Sequence, residues 1–375
     1  MNNSYSIQPL KESDVRISDL VLSKPPKRKY LFNDHLPTGI VGGMIAVGGT
    51  GKSYLLLTLG MALATGTESG PLKPPKAFKV LYLAGEDPHE ELHRRIFHTS
   101  QALCGDNPPK EIMENFLARS VVGEIGPLLE KDHQGNLRAS QCYRWLDESL
   151  TNLPDVEVLI IDPLSKFYGL DENDNSHCAM WIACLEAVAR KHKLTILFSH
   201  HESKARKGEM DQASSRGGSA LTDGCRWVAN LRNMTTDDGK KYSINPKDYI
   251  EFDITKNNYS SKLLTSIFFK RNSEGVLEYI DLTSCRTNSI AIELLKILQD
   301  EKAKGNFYSK RDLEFDKVGK PIIDDLTMKV LNLTRSKDIP LAVDLALSEG
   351  WLEEKPESKG RKGAPKKILH VIRIP

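Results

Sequence analysis

The sequence predicts an α/β protein in which helices flank a mainly parallel central sheet. Strand-like apolar runs alternate along the chain with segments of helical periodicity, which is the order that produces βα units. The runs span residues 44–47, 79–84, 156–161 and 194–198, and the helical segments span residues 90–103 and 180–191. Since the runs are apolar throughout rather than at every second position, we expect both faces of the sheet to be covered. Ligand-binding residues of such a sheet collect at the carboxyl ends of its strands.

Composition indicates one large domain with a smaller companion. The chain has 375 residues, of which 39% are hydrophobic, and its formal net charge is +2. With so small a charge, a polyanion has to be bound by local basic patches rather than by the field of the whole molecule. The six cysteines include no Cys-x-x-Cys pair, which favours reduced thiols, and no run approaches the roughly 20 apolar residues of a membrane span. We therefore expect a cytoplasmic protein with no membrane partner.

Residues 46–53 read Ala-Val-Gly-Gly-Thr-Gly-Lys-Ser and lie between an apolar run and a helix-like stretch. Glycines without a Cβ allow successive backbone N–H groups to converge on phosphate oxygens, and the following helix adds the positive end of its dipole. Lys52 supplies a charge, and Ser53 supplies a hydroxyl for Mg²⁺. Ala46 occupies the position of the usual first glycine, and a glycine-rich hairpin is the alternative interpretation. The predicted nucleotide contacts are Gly48, Gly49, Thr50, Gly51, Lys52, Ser53 and Tyr54.

Polar residues also end three of the predicted strands. Asp162 is suited to hold the water shell of a phosphate-bound Mg²⁺, and Glu86 is placed to polarise a water for attack on the γ-phosphate. His200 is a candidate sensor of that phosphate. Each residue also has a simpler interpretation. Asp162 could be an ordinary turn aspartate, Glu86 or Asp87 could cap the next helix, and His200 could be a satisfied polar residue at a strand end. We expect Asp87 to provide the cap. Asp162, Glu86 and His200 all follow strands that end at the sheet edge expected to carry Lys52, and this shared position favours the functional interpretation of each residue.

Together these motifs resemble the RecA/DnaB branch of the P-loop ATPases and, more narrowly, the RepA-type hexameric replicative helicases of mobilisable plasmids. A glutamate after the second strand, rather than beside the Walker B aspartate, is typical of that branch. The matching segments are residues 47–53, 82–88 with Arg94 and Arg95, 161–164, 198–204, 212–219 through Trp227, and 255–259. The resemblance implies a RecA-like core that binds ATP and Mg²⁺ and assembles as a hexameric ring on single-stranded or forked DNA.

The same resemblance implies a role for each matched residue. Catalytic roles fall to Lys52, Glu86, His200 and Arg216, Mg²⁺ binding to Ser53 and Asp162, and further nucleotide contacts to Arg95 and Lys256. Many DnaB-like sequences carry Lys-x-Arg near the last core strand, whereas here Asn258 occupies the arginine position after Lys256. We therefore expect Arg216 to be the arginine finger, because a cation supplied by a neighbouring subunit makes hydrolysis depend on assembly. The alternative is that Arg216 only anchors a loop.

Two segments correspond to the loops that face the central channel in RecA-like rings. Residues 165–177 are acidic and are poor phosphate ligands. Residues 202–215 are basic and connect His200 to Arg216, so that the state of the nucleotide would move this loop along a DNA strand. A solvated surface loop is the ordinary alternative. The predicted DNA contacts in this loop are Lys204, Arg206 and Lys207.

The C-terminal region predicts a small winged-helix-like domain. Apolar residues at helical spacing over 289–298 and 339–347 are followed by a basic turn at 359–367 and an alternating strand at 368–374. A basic hairpin after helices is typical of a wing that lies on a nucleic-acid backbone. Protein docking is the alternative, and RepA-type helicases do not generally carry this extension. The predicted DNA contacts here are Arg361, Lys362, Lys366 and Lys367.

The predicted organisation is an N-terminal arm (residues 1–29), a RecA-like ATPase core (30–286) and a winged-helix-like C-terminal domain (287–375). We expect an ATP-dependent, ring-forming DNA translocase or helicase for replication of a plasmid, phage or other mobile element, with a replication or loading partner bound through the C-terminal domain. The alternative is an ATP-switched DNA-binding regulator that assembles on DNA without unwinding it. A small-molecule kinase is disfavoured, because the sequence shows no lid-like arginine cluster.

Overall fold

Strands and helices alternate through most of the chain. The computed structural model describes residues 9–12, 16–201, 219–242, 244–260, 266–314, 338–356 and 367–375. Within these ranges the strands are β1 (Tyr30–Phe32), β2 (Leu36–Pro37), β3 (Val41–Ala46), β4 (Val80–Ala84), β5 (Phe116–Ser120), β6 (Leu129–Lys131), β7 (Leu137–Ala139), β8 (Val158–Asp162), β9 (Thr195–His201), β10 (Trp227–Asn233), β11 (Tyr249–Asn257), β12 (Ile267–Arg271), β13 (Leu277–Ile280), β14 (Leu352–Pro356) and β15 (Lys367–Val371).

The helices of the described residues surround these strands. They are α1 (Ser18–Leu22), α2 (Lys52–Thr65), α3 (His89–Cys104), α4 (Lys110–Asn115), α5 (Gln141–Asn152), α6 (Ser165–Tyr168), α7 (Asn175–His192), α8 (Ser219–Gly224), α9 (Thr236–Tyr242), α10 (Leu282–Ala303), α11 (Lys310–Glu314) and α12 (Asp338–Ser348), with a 3₁₀ turn at Pro246–Asp248. A membrane-spanning helix, judged by length and apolar character, is not found among them.

Nine strands form the central sheet, in the order β13-β12-β11-β10-β3-β9-β8-β4-β5. The six strands from β10 to β5 are parallel, and β11, β12 and β13 extend the sheet as antiparallel strands. The prediction of a mainly parallel central sheet flanked by helices is thus confirmed. In this order β3, β9, β8 and β4 are neighbours, so their carboxyl ends lie side by side.

Each face of the parallel strands is covered by a hydrophobic cluster. Leu59 of α2 shares one cluster with Ile160 of β8, and Ile161 shares the other with Trp181 of α7. On that second face the rings of Trp181 and Phe198 meet edge to face, with centroids 5.5 Å apart. Adjacent residues of one strand thus point to opposite faces, both buried, which explains the continuously apolar runs.

The β10 strand was not among the predicted strands, although it lies next to β3 in the sheet. It reads Trp-Val-Ala-Asn-Leu-Arg-Asn, and its polar residues interrupt the apolar run on which strand prediction depends. Those side chains have partners elsewhere in the fold. Arg232 forms a 2.6 Å ion pair with Asp238 and a second ion pair with Glu251 of β11. Paired charges of this kind are compatible with a partly buried strand.

The C-terminal residues build a separate hydrophobic cluster. Ile290 and Leu294 of α10, Val343 of α12, Trp351 and Leu369 of β15 all belong to it, and β14 pairs with β15 in an antiparallel two-stranded sheet. The predicted boundary after residue 286 falls inside the continuous helix α10. Residues 315–337 and 357–366 lie outside the described residues, so the winged-helix architecture stays a prediction.

Candidate nucleotide-binding site

The loop between β3 and α2 has the backbone expected of an anion cradle. Gly49 and Gly51 adopt positive φ angles of 80° and 106°, a conformation that favours glycine. Gly51 directly precedes the first residue of α2, and no side chain caps this helix. A helix start of this kind attracts anions through its N–H groups and its dipole. Within the loop, the N–H of Thr50 donates to the carbonyl oxygen of Val47 at 3.3 Å.

Lys52 is folded back against this loop. Its Nζ donates to the carbonyl oxygens of Ala46 at 2.8 Å and Val47 at 3.3 Å, and it lies 3.2 Å from Nδ1 of His201. The lysine is 5% exposed. A buried ammonium needs hydrogen-bond partners, and the loop carbonyls provide them here. Ser53 follows as the second residue of α2, on the same turn that starts the helix.

Asp162 ends β8 at the same edge of the sheet and is held by two hydroxyl groups. Tyr82 of β4 donates its phenol to Oδ2 at 2.5 Å, and Ser199 of β9 donates to Oδ1. Burial raises the pKa of Tyr82 well above its usual value, so the phenol remains a donor at neutral pH. The carboxylate is thereby fixed from both neighbouring strands, and we regard Tyr82 and Ser199 as residues that sequence reasoning missed.

The two histidines at the end of β9 lie on opposite faces of the sheet. His201 pairs in register with Ala46 and contacts Lys52, whereas His200 lies on the face that holds Phe198. Burial lowers the pKa of His200 to about 4, and His201 and Lys52 add to that effect. Burial and the Lys52 ammonium also lower the pKa of His201. His201 is therefore the histidine that contacts Lys52, and the predicted role of His200 as a phosphate sensor stays a prediction.

Glu86 follows β4 and is half-exposed, with Nζ of Lys166 lying 3.5 Å from its Oε1. The expectation that Asp87 caps the next helix is wrong: Pro88 occupies the N-cap of α3 and no side chain caps it. Asp87 instead forms a 2.7 Å ion pair with Arg95. Burial raises the pKa of Asp87, and Arg95 partly offsets that effect.

Comparison with known proteins identifies the family. The family model described as AAA domain (AAA_25) matches residues 7–207. The chain belongs to this AAA domain family. Among solved structures, it is similar to the crystal structure of the RadB recombinase, with 15% identity and a TM-score of 0.41 over 65% of this chain and 91% of that chain. It is also similar to a second solved structure, an ATPase domain, with 12% identity and a TM-score of 0.44 over 64% of this chain and 85% of that chain.

Residues beyond the matched part of the AAA domain also contact the phosphate loop. Arg271 at the end of β12 donates from Nη2 to the carbonyl oxygen of Thr50 at 3.0 Å. In the turn after this strand, the carbonyl oxygen of Glu274 accepts a 2.9 Å hydrogen bond from the hydroxyl of Tyr54. The guanidinium of Arg95 lies over the Tyr54 ring, 5.3 Å from its centroid. The structure thus brings Tyr54 and Arg95 together, and their contact with a nucleotide stays a prediction. The contact of Arg271 with this loop was not predicted from the sequence.

Lys256 lies away from the phosphate loop in this AAA domain protein. Its Nζ donates to the carbonyl oxygens of Thr222 at 3.1 Å and Asp223 at 2.7 Å, at the end of α8. Cations are favourable beside the unpaired carbonyls of a helix end. Within one chain Lys256 therefore anchors α8, and its predicted contact with a nucleotide stays a prediction for an assembled ring.

Most predicted DNA contacts lie outside the described residues. These are Lys204, Arg206, Lys207, Arg361, Lys362 and Lys366, and the predicted arginine finger Arg216 joins them. Lys367 is described: it begins β15, is exposed, and lies 3.8 Å from Glu354. A contact of this length at the surface contributes little to stability. Lys367 is therefore accessible to a polyanion.

The donors at this edge fit a magnesium ion. Hard cations such as Mg²⁺ take oxygen ligands, usually one or two carboxylates together with phosphate and water. Ser53 supplies a hydroxyl and Asp162 a carboxylate that is 5% exposed. Among the described residues no cluster of three or more His, Cys, Asp or Glu side chains is found. A magnesium ion bound here would complete its shell with nucleotide oxygens and water, as in other P-loop sites.

Proposed function

We propose that this protein is an ATP-driven motor on DNA: a ring-forming translocase or helicase for replication of a plasmid, phage or other mobile element. The observation that carries the proposal is the meeting of four groups at one sheet edge. Lys52, Asp162, Glu86 and His201 lie at the carboxyl ends of β3, β8, β4 and β9, which are neighbours in the sheet. A cation, a magnesium ligand, a carboxylate base and a phosphate sensor are the parts that ATP hydrolysis requires.

Each group has a task in this proposal. The loop N–H groups and Lys52 bind the β- and γ-phosphates, and Lys52 exchanges its carbonyl partners for phosphate oxygens. Ser53 and Asp162 would hold Mg²⁺, which would neutralise charge on the phosphates. Glu86 orients the attacking water and accepts its proton. His201 loses its contact with Lys52 when the lysine turns to the phosphates, so the end of β9 registers the occupied site.

The link to DNA rests on the segment that comes directly after β9. His201 is the last residue of this strand, and the next residues of the chain include Lys204, Arg206 and Lys207. A change at His201 is therefore passed along the backbone into a basic segment. Basic segments bind the phosphate backbone irrespective of sequence, with an affinity that falls as salt rises.

ATPase activity measured against protein concentration, with and without single-stranded DNA, tests this proposal. We expect the specific activity to rise with protein concentration and to increase when single strands are added. Glu86→Gln should bind ATP and hydrolyse it at no more than a small residual rate, because an amide cannot accept the proton. Arg216→Ala should also be inactive, and mixing it with Lys52→Ala should restore some turnover, since each variant supplies what the other lacks.

A forked duplex separates the motor from the ATP-switched regulator. A motor should separate the strands in an ATP-dependent manner, whereas a regulator should hold a defined duplex sequence and hydrolyse ATP slowly. A strictly monomeric protein with full ATPase activity would refute the ring, and the absence of rescue in the mixture would refute the role of Arg216 in a neighbouring site.

A further inference from the structure

Lys166 lies on the one-turn helix α6, immediately after the strand that ends in Asp162. Its backbone is held from both sides. The N–H of Leu164 donates to the carbonyl oxygen of Ser199 at 2.8 Å, and the next residue after the lysine, Phe167, is fully buried. The carbonyl oxygen of Phe167 accepts hydrogen bonds from the indole of Trp181 at 3.3 Å and from a loop N–H at 2.8 Å.

The aliphatic stem of Lys166 lies on the backbone of Gly85. A Cβ added at Gly85 would come within 2.9 Å of both Cβ and Cγ of Lys166, closer than real Cβ atoms approach their neighbours. The N–H of Gly85 in turn donates to the carbonyl oxygen of Asp162 at 2.7 Å. The absence of a side chain at residue 85 is what permits the lysine to cross from the end of β8 to the end of β4.

The ammonium of Lys166 reaches Glu86, the residue that follows Gly85 after the end of β4. Its Nζ lies 3.5 Å from Oε1 of Glu86, and the two side chains are 47% and 48% exposed. Ion pairs with this exposure contribute little to stability. A gain in stability therefore does not explain why the stem of Lys166 packs against Gly85. The contact instead orients Glu86, because a cation held beside a flexible carboxylate restricts the direction in which that carboxylate points.

We propose that Lys166 is a positioning residue that orients the Glu86 carboxylate towards the attacking water. This inference rests on the proposed ATPase function, in which Glu86 is the base. Catalytic groups that are misplaced by about 1 Å lose rate by up to about 100-fold. Loss of the lysine charge should therefore slow the chemical step and leave nucleotide binding, which the phosphate loop provides, unchanged.

The test compares Lys166→Met, which keeps the stem and removes the charge, with Lys166→Arg, which keeps the charge. We expect Lys166→Met to lower kcat about tenfold with KM for ATP changed less than about twofold, and Lys166→Arg to retain most of the wild-type kcat. The matched control is Lys76→Met. Lys76 forms a 2.6 Å pair with Glu157, with 56% and 41% exposure, and Glu157 precedes the opposite end of β8, so kcat should not change.

A double-mutant cycle shows whether the effect passes through the glutamate. In the Glu86→Gln background, Lys166→Met should not lower the residual rate further, because the group it orients is already lost. Gly85→Ala should reproduce the loss of kcat by displacing the stem. Urea unfolding of every variant shows that the fold is intact.

An unchanged kcat in Lys166→Met would overturn the proposal, and a raised KM with that normal kcat would indicate that the lysine is a phosphate ligand instead. An equal loss of kcat from Lys166→Met in the wild-type and Glu86→Gln backgrounds would also overturn it. The proposed function fails differently. In that case the wild-type protein itself shows no ATPase activity, or Glu86→Gln retains it.

Discussion

His200 and His201 are adjacent in β9 but have different surroundings, because successive side chains of a strand point to opposite faces of the sheet. Nδ1 of His201 lies 3.2 Å from Nζ of Lys52. His200 is 7% exposed and has a pKa of about 4. One imidazole therefore lies beside the lysine that begins α2, and the other is a neutral group buried within the protein.

His200 should make the protein less stable in acid. Its pKa is about 4 in the folded chain and about 6.5 in the unfolded chain, so the unfolded state takes up the proton first as the pH falls. The free energy of unfolding should decrease by up to about 3 kcal/mol as the pH falls from 6.5 to 4. Below pH 4, His200 should cause no further loss of stability. Urea unfolding of the wild type and of His200→Gln across this range measures it.

The substitution His133→Gln provides the control for that experiment. His133 is an exposed residue in the turn between β6 and β7, and its substitution should leave the pH dependence of the wild type intact. If His200→Gln showed the same pH dependence as the wild type, the loss of stability would belong to other groups.

From the sequence, His200 of this strand end is the candidate phosphate sensor, and that role stays a prediction, whereas the histidine that contacts Lys52 is His201. Which of the two contacts Lys52 depends on the register of β9 against β3, in which His201 stands opposite Ala46. An apolar run that is buried on both faces carries no alternation from which that register can be read. By contrast, the glycines, Lys52 and Asp162 are set by local sequence, and the structure brings them to the expected edge.

At the scale of elements, the turn between β12 and β13 braces the start of α2. Arg271 bonds to the carbonyl of Thr50, and Tyr54 bonds to the carbonyl of Glu274. Leu277 also packs against this loop, because a Cβ added at Gly51 would lie only 3.1 Å from the Cδ1 atom of Leu277. The antiparallel extension of the sheet thus supports the loop that the parallel strands carry.

Arg271→Ala should therefore weaken nucleotide binding. Removing the hydrogen bond to Thr50 frees the loop to leave its binding conformation, so we expect KM for ATP to rise several-fold and stability to fall by about 1–2 kcal/mol. Steady-state kinetics and urea unfolding measure both. Lys270→Ala, at the exposed neighbouring position on β12, should change neither. Lost stability with unchanged KM would reduce Arg271 to a structural residue.

Sequence reasoning could not find Arg271, because its partner Thr50 is 221 residues away. Its surroundings in the chain, Phe-Phe-Lys-Arg-Asn, predict the end of a strand and nothing more. Local patterns specify the element, and only the order of strands in the sheet specifies which loop that element meets.

Across the whole molecule, the hydrophobic residues around the central sheet and those of the C-terminal region form different clusters. Leu282, in the first turn of α10, packs with Met234 and Phe268 beside the sheet. From Ile290 onward the same helix belongs to the C-terminal cluster, with Ile339 of α12. One helix thus takes part in both.

Leu295→Ala should destabilise the C-terminal cluster selectively. Leu295 is fully buried there, and a truncation of this kind costs about 2–5 kcal/mol. Hydrogen exchange on the full chain should show faster exchange in α10, α12 and β15, with amides of β3 and β8 still protected. Leu341→Ala, which is 55% exposed on α12, is the control and should change stability by less than about 0.5 kcal/mol. Equal loss of protection in β3 and β8 would show that the chain unfolds as one unit.

The shared helix also connects the central sheet to the C-terminal cluster without an intervening loop. α10 has 22 residues and contains neither proline nor glycine, the residues at which helices most often kink, so it forms a stiff rod about 33 Å long. A flexible linker would not transmit a force applied to the β14–β15 sheet, whereas a stiff helix would transmit it to the strands beside Phe268. A partner bound to the β14–β15 sheet would therefore be mechanically coupled to the central sheet.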